Sequence, residues 1–66
     1  METLRGKLDM LNHDKCIGRL RTGKQFRFNK GWRDPLRKLW GKNVIIMTDS
    51  TGMLLHLFDA TGKVWQ

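Results

Sequence analysis

Hydrophobic and polar residues alternate through much of the first half of the chain. The clearest case is residues 25–29, where Phe26 and Phe28 fall on one side of an extended strand and Arg27 falls on the other. Strict alternation is typical of a strand with one buried face. Weaker alternation over residues 4–11 and 16–20 predicts two earlier strands, and polar residues at 12–14 and 21–24 predict the turns between them.

The second half of the chain contains two apolar runs separated by turn residues. Residues 44–48 are mostly β-branched and apolar, which predicts a buried strand. Asp49 and Gly52 mark a turn, because Asp bonds the backbone amides ahead of it and Gly tolerates a positive φ. Residues 53–58 predict the fifth strand. Residues 59–62 repeat the turn pattern, and residues 63–65 predict a short last strand that would close the sheet.

A short helix is predicted between the third and fourth strands. Asp34 and Pro35 form a favourable helix start, with a capping side chain followed by proline in the first turn. Leu36, Leu39 and Trp40 share one helical face, so we expect Trp40 to fill the core. The order of elements predicts a single mainly β domain over residues 1–66, a small five-stranded OB-like or SH3-like barrel with one helical turn.

Charge is distributed unevenly over the 66 residues, whose net charge is +7. Residues 1–42 contain 12 basic and four acidic side chains, whereas residues 43–66 contain one basic and two acidic side chains. Such a polarity attracts polyanions, of which nucleic acid is the commonest. A single cysteine, the lack of a signal-peptide pattern and the absence of a long apolar run predict a cytoplasmic protein without membrane contact.

The first hairpin resembles that of cold-shock domains. The family runs approximately G-K-V-K-W-F-N-x-x-K-G-F-G-F-I, and residues 6–20 read G-K-L-D-M-L-N-H-D-K-C-I-G-R-L without a gap. Residues 25–29 and 39–44 are similar to the third strand and to the start of the fourth. The resemblance implies a five-stranded OB-type barrel that binds single-stranded nucleic acid.

The aromatic residues with which that family stacks bases are replaced here. Met10, Leu11, Ile17 and Arg19 stand at the aromatic positions of the first two strands. On the third strand we expect Phe26 and Phe28 to point inward, because the opposite register would bury Gln25 and Arg27. The outward face would then be basic, and arginine both contacts phosphate and stacks on bases. The predicted nucleic-acid-binding residues are Lys7, Lys15, Ile17, Arg19, Arg21, Lys24, Arg27, Asn29, Lys30, Trp32 and Arg33.

Trp32 is included among these residues because Lys30, Gly31 and Arg33 surround it. An exposed aromatic residue between basic residues is typical of a groove for a single strand. We therefore expect Trp32 to be partly exposed, whereas Trp40 is expected to be buried.

Sequence patterns for catalysis and cofactors are weak. Residues 18–24 match G-x-x-x-x-G-K, but Gln25 replaces the Ser or Thr that coordinates Mg²⁺, and strand residues replace the following helix. His13, His56 and Cys16 lack the number and spacing of zinc ligands. The sequence thus predicts no enzyme activity, no cofactor and no metal.

Two other functions remain open. Residues 25–58 also fit a swapped-hairpin transcription regulator, in which residues 32–40 join the strands and an obligate dimer binds duplex DNA. The second open function is a small protein-interaction or inhibitor module that recognises an acidic partner. The predicted partner is nucleic acid, with single strands preferred, and the protein is expected to be a monomer or a homodimer.

Overall fold

A computed structural model describes residues 1–66, and all six of its strands belong to one sheet. The elements are β1 (Glu2–Asn12), β2 (Ile17–Leu20), β3 (Gln25–Arg27), a 3-10 turn (Lys30–Trp32), α1 (Arg33–Lys38), β4 (Asn43–Thr48), β5 (Leu54–Asp59) and β6 (Val64–Trp65). Neighbouring strands are antiparallel in the order β3-β2-β1-β4-β5-β6. The mainly β prediction and the helix between the third and fourth strands are confirmed. No helix of the structure has the length and apolar character needed to cross a membrane.

The predicted closed barrel of five strands is wrong, because the sheet has six strands and remains open. β3 has only three residues and meets the segment before β5 through one isolated parallel bridge, between Arg27 and Met53. β6 pairs with Leu57 and Phe58 on the edge of β5 that a closing strand would need. The last strand therefore extends the sheet instead of closing it.

The core lies on one side of the curved sheet, where Phe26 and Phe28 are each only 2 % exposed. This placement confirms the predicted register of the third strand, since Gln25, Arg27 and Asn29 are exposed. Burial of two phenylalanine rings is worth roughly 3–6 kcal/mol before the entropy of ordering the chain is subtracted. The other buried apolar side chains are Leu4, Leu8, Leu20, Leu36, Leu39, Val44, Ile46, Leu54 and Leu57.

Trp40 does not fill the core as predicted, because its residue surface is 58 % exposed. α1 ends at Lys38, and the Trp40 amide bonds the Arg37 carbonyl three residues back. This tighter turn rotates Trp40 away from the face that buries Leu36 and Leu39. The helix also begins at Arg33, so Asp34 lies in the first turn and does not cap the helix.

The two D-x-T-G turns fold in the same way. Oδ1 of Asp49 accepts hydrogen bonds from the Thr51 amide at 2.8 Å, the Thr51 hydroxyl and the Met53 amide at 3.0 Å. Oδ1 of Asp59 accepts the equivalent bonds from Thr61 and Lys63. Gly52 and Gly62 complete the turns with φ of 86° and 88°. The repeated sequence is therefore a repeated hairpin turn in which one carboxylate oxygen organises the backbone.

Bonds to the ionised carboxylates lower the pKa values of both turn aspartates. The Thr51 hydroxyl is the main cause for Asp49. The Thr61 hydroxyl and the Trp65 indole lower the pKa of Asp59 to about 2. An aspartate whose pKa is lower in the folded state contributes its full stabilisation when the pH is above its unfolded-state pKa, which is about 4. That stabilisation is lost as the pH falls through the folded-state pKa.

We therefore expect the melting temperature to fall between about pH 4 and pH 2 as Asp59 becomes protonated, and we expect protonation of Asp49 at low pH to add to the fall. Asp49→Asn/Asp59→Asn keeps an oxygen acceptor in each turn but removes the titration, so its melting temperature should fall less over the same interval. Thermal melting followed by circular dichroism from pH 2 to pH 6 measures the difference. Parallel curves for the two proteins would contradict the assignment.

Candidate nucleic-acid interface

Cross-strand pairing places the outward residues of β1, β2 and β3 in two rows. Met10 pairs with Arg19, which pairs with Gln25. Asn12 pairs with Ile17, which pairs with Arg27. The register shift between Leu8 and Met10 leaves Asp9 as an extra residue in β1. Regular alternation from buried Leu8 would point Met10 inward, and this bulge turns it to the outward face. The outer side of the hairpin thus combines two half-buried apolar residues with two exposed arginines.

Arg19 and Arg27 occupy diagonal positions of the β2–β3 pair. Residues in such positions have Cα atoms roughly 7–8 Å apart, within reach of long side chains. Both side chains are exposed. Because glycine and leucine alternate with the outward residues of β2, the burial of Gly18 and Leu20 keeps Ile17 and Arg19 on the outside.

A shallow depression between the middle of β1, the end of β2 and the start of β4 adds further cations. Lys7 and Arg21 line it together with Lys42, and Thr22, Gly41 and Asn43 complete its wall. Backbone hydrogen bonds hold these segments together: the Arg21 amide donates to the Lys7 carbonyl, and the Leu8 amide donates to the Lys42 carbonyl. No acidic side chain lines the depression.

We call these five exposed cations the basic strip. Its members come from β1, β2, β3, the turn after β2 and the connection before β4: Lys7, Arg19, Arg21, Arg27 and Lys42. Ammonium and guanidinium groups on an open surface can bind several phosphates at once, and guanidinium can also lie flat on a base. The arrangement is suited to an extended polyanion.

Two carboxylates border the basic strip. Asp9 Oδ2 lies 3.7 Å from Arg19 Nη2, with both side chains about half exposed. Such a surface pair is worth roughly 0–1 kcal/mol and is readily replaced by a competing anion. Arg27 donates through Nη2 to the Thr51 carbonyl at 2.8 Å, and its charge also contributes to the lowered pKa of Asp49. Arg27 is therefore held in position against the β4–β5 turn.

Among the other predicted binding residues, Ile17 pairs with Arg27 on the outward face of the basic strip. The remaining ones lie in turns and in the segment after β3. Lys15 and Lys24 lie in the turns that flank β2, and Asn29 and Lys30 follow β3, all four exposed. Arg33 is half-buried, and its Nη2 donates to the His13 carbonyl at 2.8 Å, which ties α1 to the first turn.

Trp32 is half-buried, as predicted, and packs against the core. It lines a different groove, together with residues of β5 and β6.

The sequence patterns did not indicate four residues that line these surfaces. Lys42 reaches the depression because β4 pairs with β1, a long-range contact that no local pattern reveals. Thr51 and Gly52 lie beside Arg27 and Ile17 in a second small depression. Trp65 lines the same groove as Trp32. The sequence predicted only that Trp65 lies in the last short strand.

No group of three or more His, Cys, Asp and Glu side chains is placed to hold a metal ion. The clustered functional groups of this chain are instead cations and aromatic rings. Neither protein-family models, nor curated proteins, nor solved structures give a significant match to this chain.

Proposed function

We propose that this protein binds single-stranded nucleic acid through the basic strip. Two observations carry the proposal. Lys7, Arg21 and Lys42 line one depression without an acidic side chain. Arg19 and Arg27 lie diagonally on the outward face of the adjoining β2–β3 pair. Binding would rest mainly on phosphate neutralisation, because few aromatic rings lie on this face.

Preference for a single strand follows from the shape of this surface. The basic strip crosses the outer side of three neighbouring strands, and it carries no helix that could enter a major groove. Half-buried Ile17 and Met10 between the cations offer apolar contact to unstacked bases, which a duplex hides in its stack. The resemblance of residues 6–20 to cold-shock domains favours the same ligand class.

Salt-dependent titration of labelled oligo-dT and oligo-U tests the proposal. Each phosphate contact to a single strand contributes a slope of about −0.7 to log K against log salt, so three to five contacts give roughly −2 to −3.5. We expect a slope in that range and weaker binding of a duplex of equal length. A slope near zero, or a preference for the duplex, would contradict the proposal.

The alternative functions predict other results in the same experiments. A swapped-hairpin regulator would be a dimer in light scattering at micromolar concentration and would prefer duplex DNA. A module for an acidic protein partner would bind oligonucleotides weakly in moderate salt. In the structure β4 pairs with β1 of the same chain, which requires no second copy.

A further inference from the structure

An aromatic groove lies between the two edges of the open sheet. One wall is Gly31 and Trp32, from the segment that follows β3, and the other is formed by the β5 and β6 residues Leu55, His56, Val64, Trp65 and Gln66. Its volume is about 460 Å³. Since β3 and β6 are the edge strands, the groove occupies the seam that a closed barrel would fill.

The fold holds each wall of this groove by a separate contact. Trp65 Nε1 donates to Asp59 Oδ2 at 2.9 Å, which fixes one indole to the second D-x-T-G turn. Leu55 is the extra residue of a bulge in β5, and 40 % of its surface remains exposed. Trp32 packs against the core and is half-buried. The groove is therefore shaped before any ligand arrives.

Cations flank the groove, and no acidic side chain lines it. Lys63 Nζ lies 5.7 Å from the centre of the Trp65 ring. Lys30 directly precedes Gly31 and is exposed. Half-exposed indoles with cations beside them favour a ligand that has a flat π-system and a nearby negative charge.

The groove lies farther along the two chain segments that begin at the Arg27–Met53 bridge. The bridge from Arg27 to Met53 is parallel, so the chain after Arg27 and the chain after Met53 run along the seam in the same direction. The small depression at Arg27 and Gly52 stands at the beginning of this seam, and the aromatic groove at Trp32 and Leu55 follows it. A single strand that crosses Arg19 and Arg27 would therefore enter the seam.

We infer that the aromatic groove binds an unpaired base of the nucleic acid whose phosphates lie on the basic strip. This inference rests on the proposed function and adds a base-dependent contribution to it. Stacking on Trp32 and Trp65 accepts any base, because every base has a π-face. DNA and RNA supply the same ring systems, so both should occupy the groove.

Oligonucleotides with and without bases separate this contribution from phosphate binding. We expect wild type to bind oligo-dT and oligo-U at least about tenfold more tightly than an abasic strand of equal length. Trp32→Ala should lose about tenfold for the base-bearing strands and nothing for the abasic strand. Trp40→Ala, which removes an exposed indole outside the groove, is the matched control and should leave both affinities unchanged.

Because Trp32 contacts the core, a second variant tests the groove without that contact. Leu55→Ala/Val64→Ala trims two exposed side chains of the groove and should also reduce the ratio of base-bearing to abasic affinity. In the Trp40→Phe protein, oligo-dT should quench the tryptophan fluorescence, and the abasic strand should not.

Each other outcome has a definite meaning. Equal affinities for oligo-dT and the abasic strand, both weakened by Arg19→Ala/Arg27→Ala, would overturn the inference and leave the proposed function standing. The inference would also be overturned if Trp32→Ala and Leu55→Ala/Val64→Ala kept the wild-type ratio of base-bearing to abasic affinity. The base would then bind outside the groove. Absence of binding to every strand would overturn both proposals.

Discussion

Gly18→Ala is expected to destabilise the fold by about 3 kcal/mol, because Phe26 already fills the space that a side chain would need. A Cβ atom at Gly18 would lie 2.3 Å from Cζ of Phe26 and 2.8 Å from each of its Cε atoms. The ring belongs to the core and has no free volume to move into. For a domain of this size the melting temperature should fall by roughly 15–20 °C.

Shortening the opposing ring should relieve this clash. Phe26→Leu removes the Cε and Cζ atoms, so Gly18→Ala/Phe26→Leu should be less destabilised than the sum of the two single variants. The expected coupling exceeds about 1 kcal/mol, as is usual for residues in direct contact. Gly31→Ala is the control, since its added Cβ would have no neighbour within 4 Å. Urea and thermal unfolding by circular dichroism measure the wild type and the four variants, and additive effects would refute the close approach.

Arg19→Ala/Arg27→Ala should weaken binding to oligo-dT and oligo-U by roughly 30-fold at low salt, if each guanidinium contributes on the order of 1 kcal/mol. The salt slope should become shallower by about 1.4, because two phosphate contacts are lost. All sequences should be affected alike, since phosphate contacts do not distinguish bases. Fluorescence anisotropy of labelled oligonucleotides at several salt concentrations measures both quantities.

Two matched variants distinguish binding at the basic strip from a general effect of the protein's net charge. Arg37→Ala/Lys38→Ala removes two exposed cations of α1, outside the basic strip, and should change binding much less. Asp9→Asn releases Arg19 from its ion pair and should tighten binding by up to about fivefold with little change in stability. Equal losses in the two double variants would show that binding follows total charge, and the basic strip would then not be the site.

Arg27 also supports the β4–β5 turn, so its removal needs a structural control. Arg27→Lys keeps the positive charge but cannot reproduce the guanidinium geometry of the bond to the Thr51 carbonyl. Its salt slope should match that of wild type even if its melting temperature falls. A salt slope as shallow as that of Arg27→Ala would assign the effect to the turn and not to phosphate contact.

Part of the candidate site could be predicted from local sequence, and part could not. Alternation alone placed Arg27 outward, since Phe26 and Phe28 had to be buried. The participation of Lys42 and Trp65 depended on which strands pair, and pairing is set by contacts between distant residues. Trp40 shows the limit of local periodicity, because its spacing from Leu36 and Leu39 is helical but α1 ends two residues before it.

The amino-acid sequence by itself determined the strands, the turns, the inward face of β3 and the concentration of positive charge in residues 1–42. These features are local, because side-chain alternation, turn chemistry and charge act over a few residues. Only the tertiary structure decided that β6 would extend the sheet and leave a seam, and that Lys42 would line one depression with Lys7 and Arg21. Such outcomes depend on strand order and register, which arise when distant segments compete for the same sheet edge and the same core.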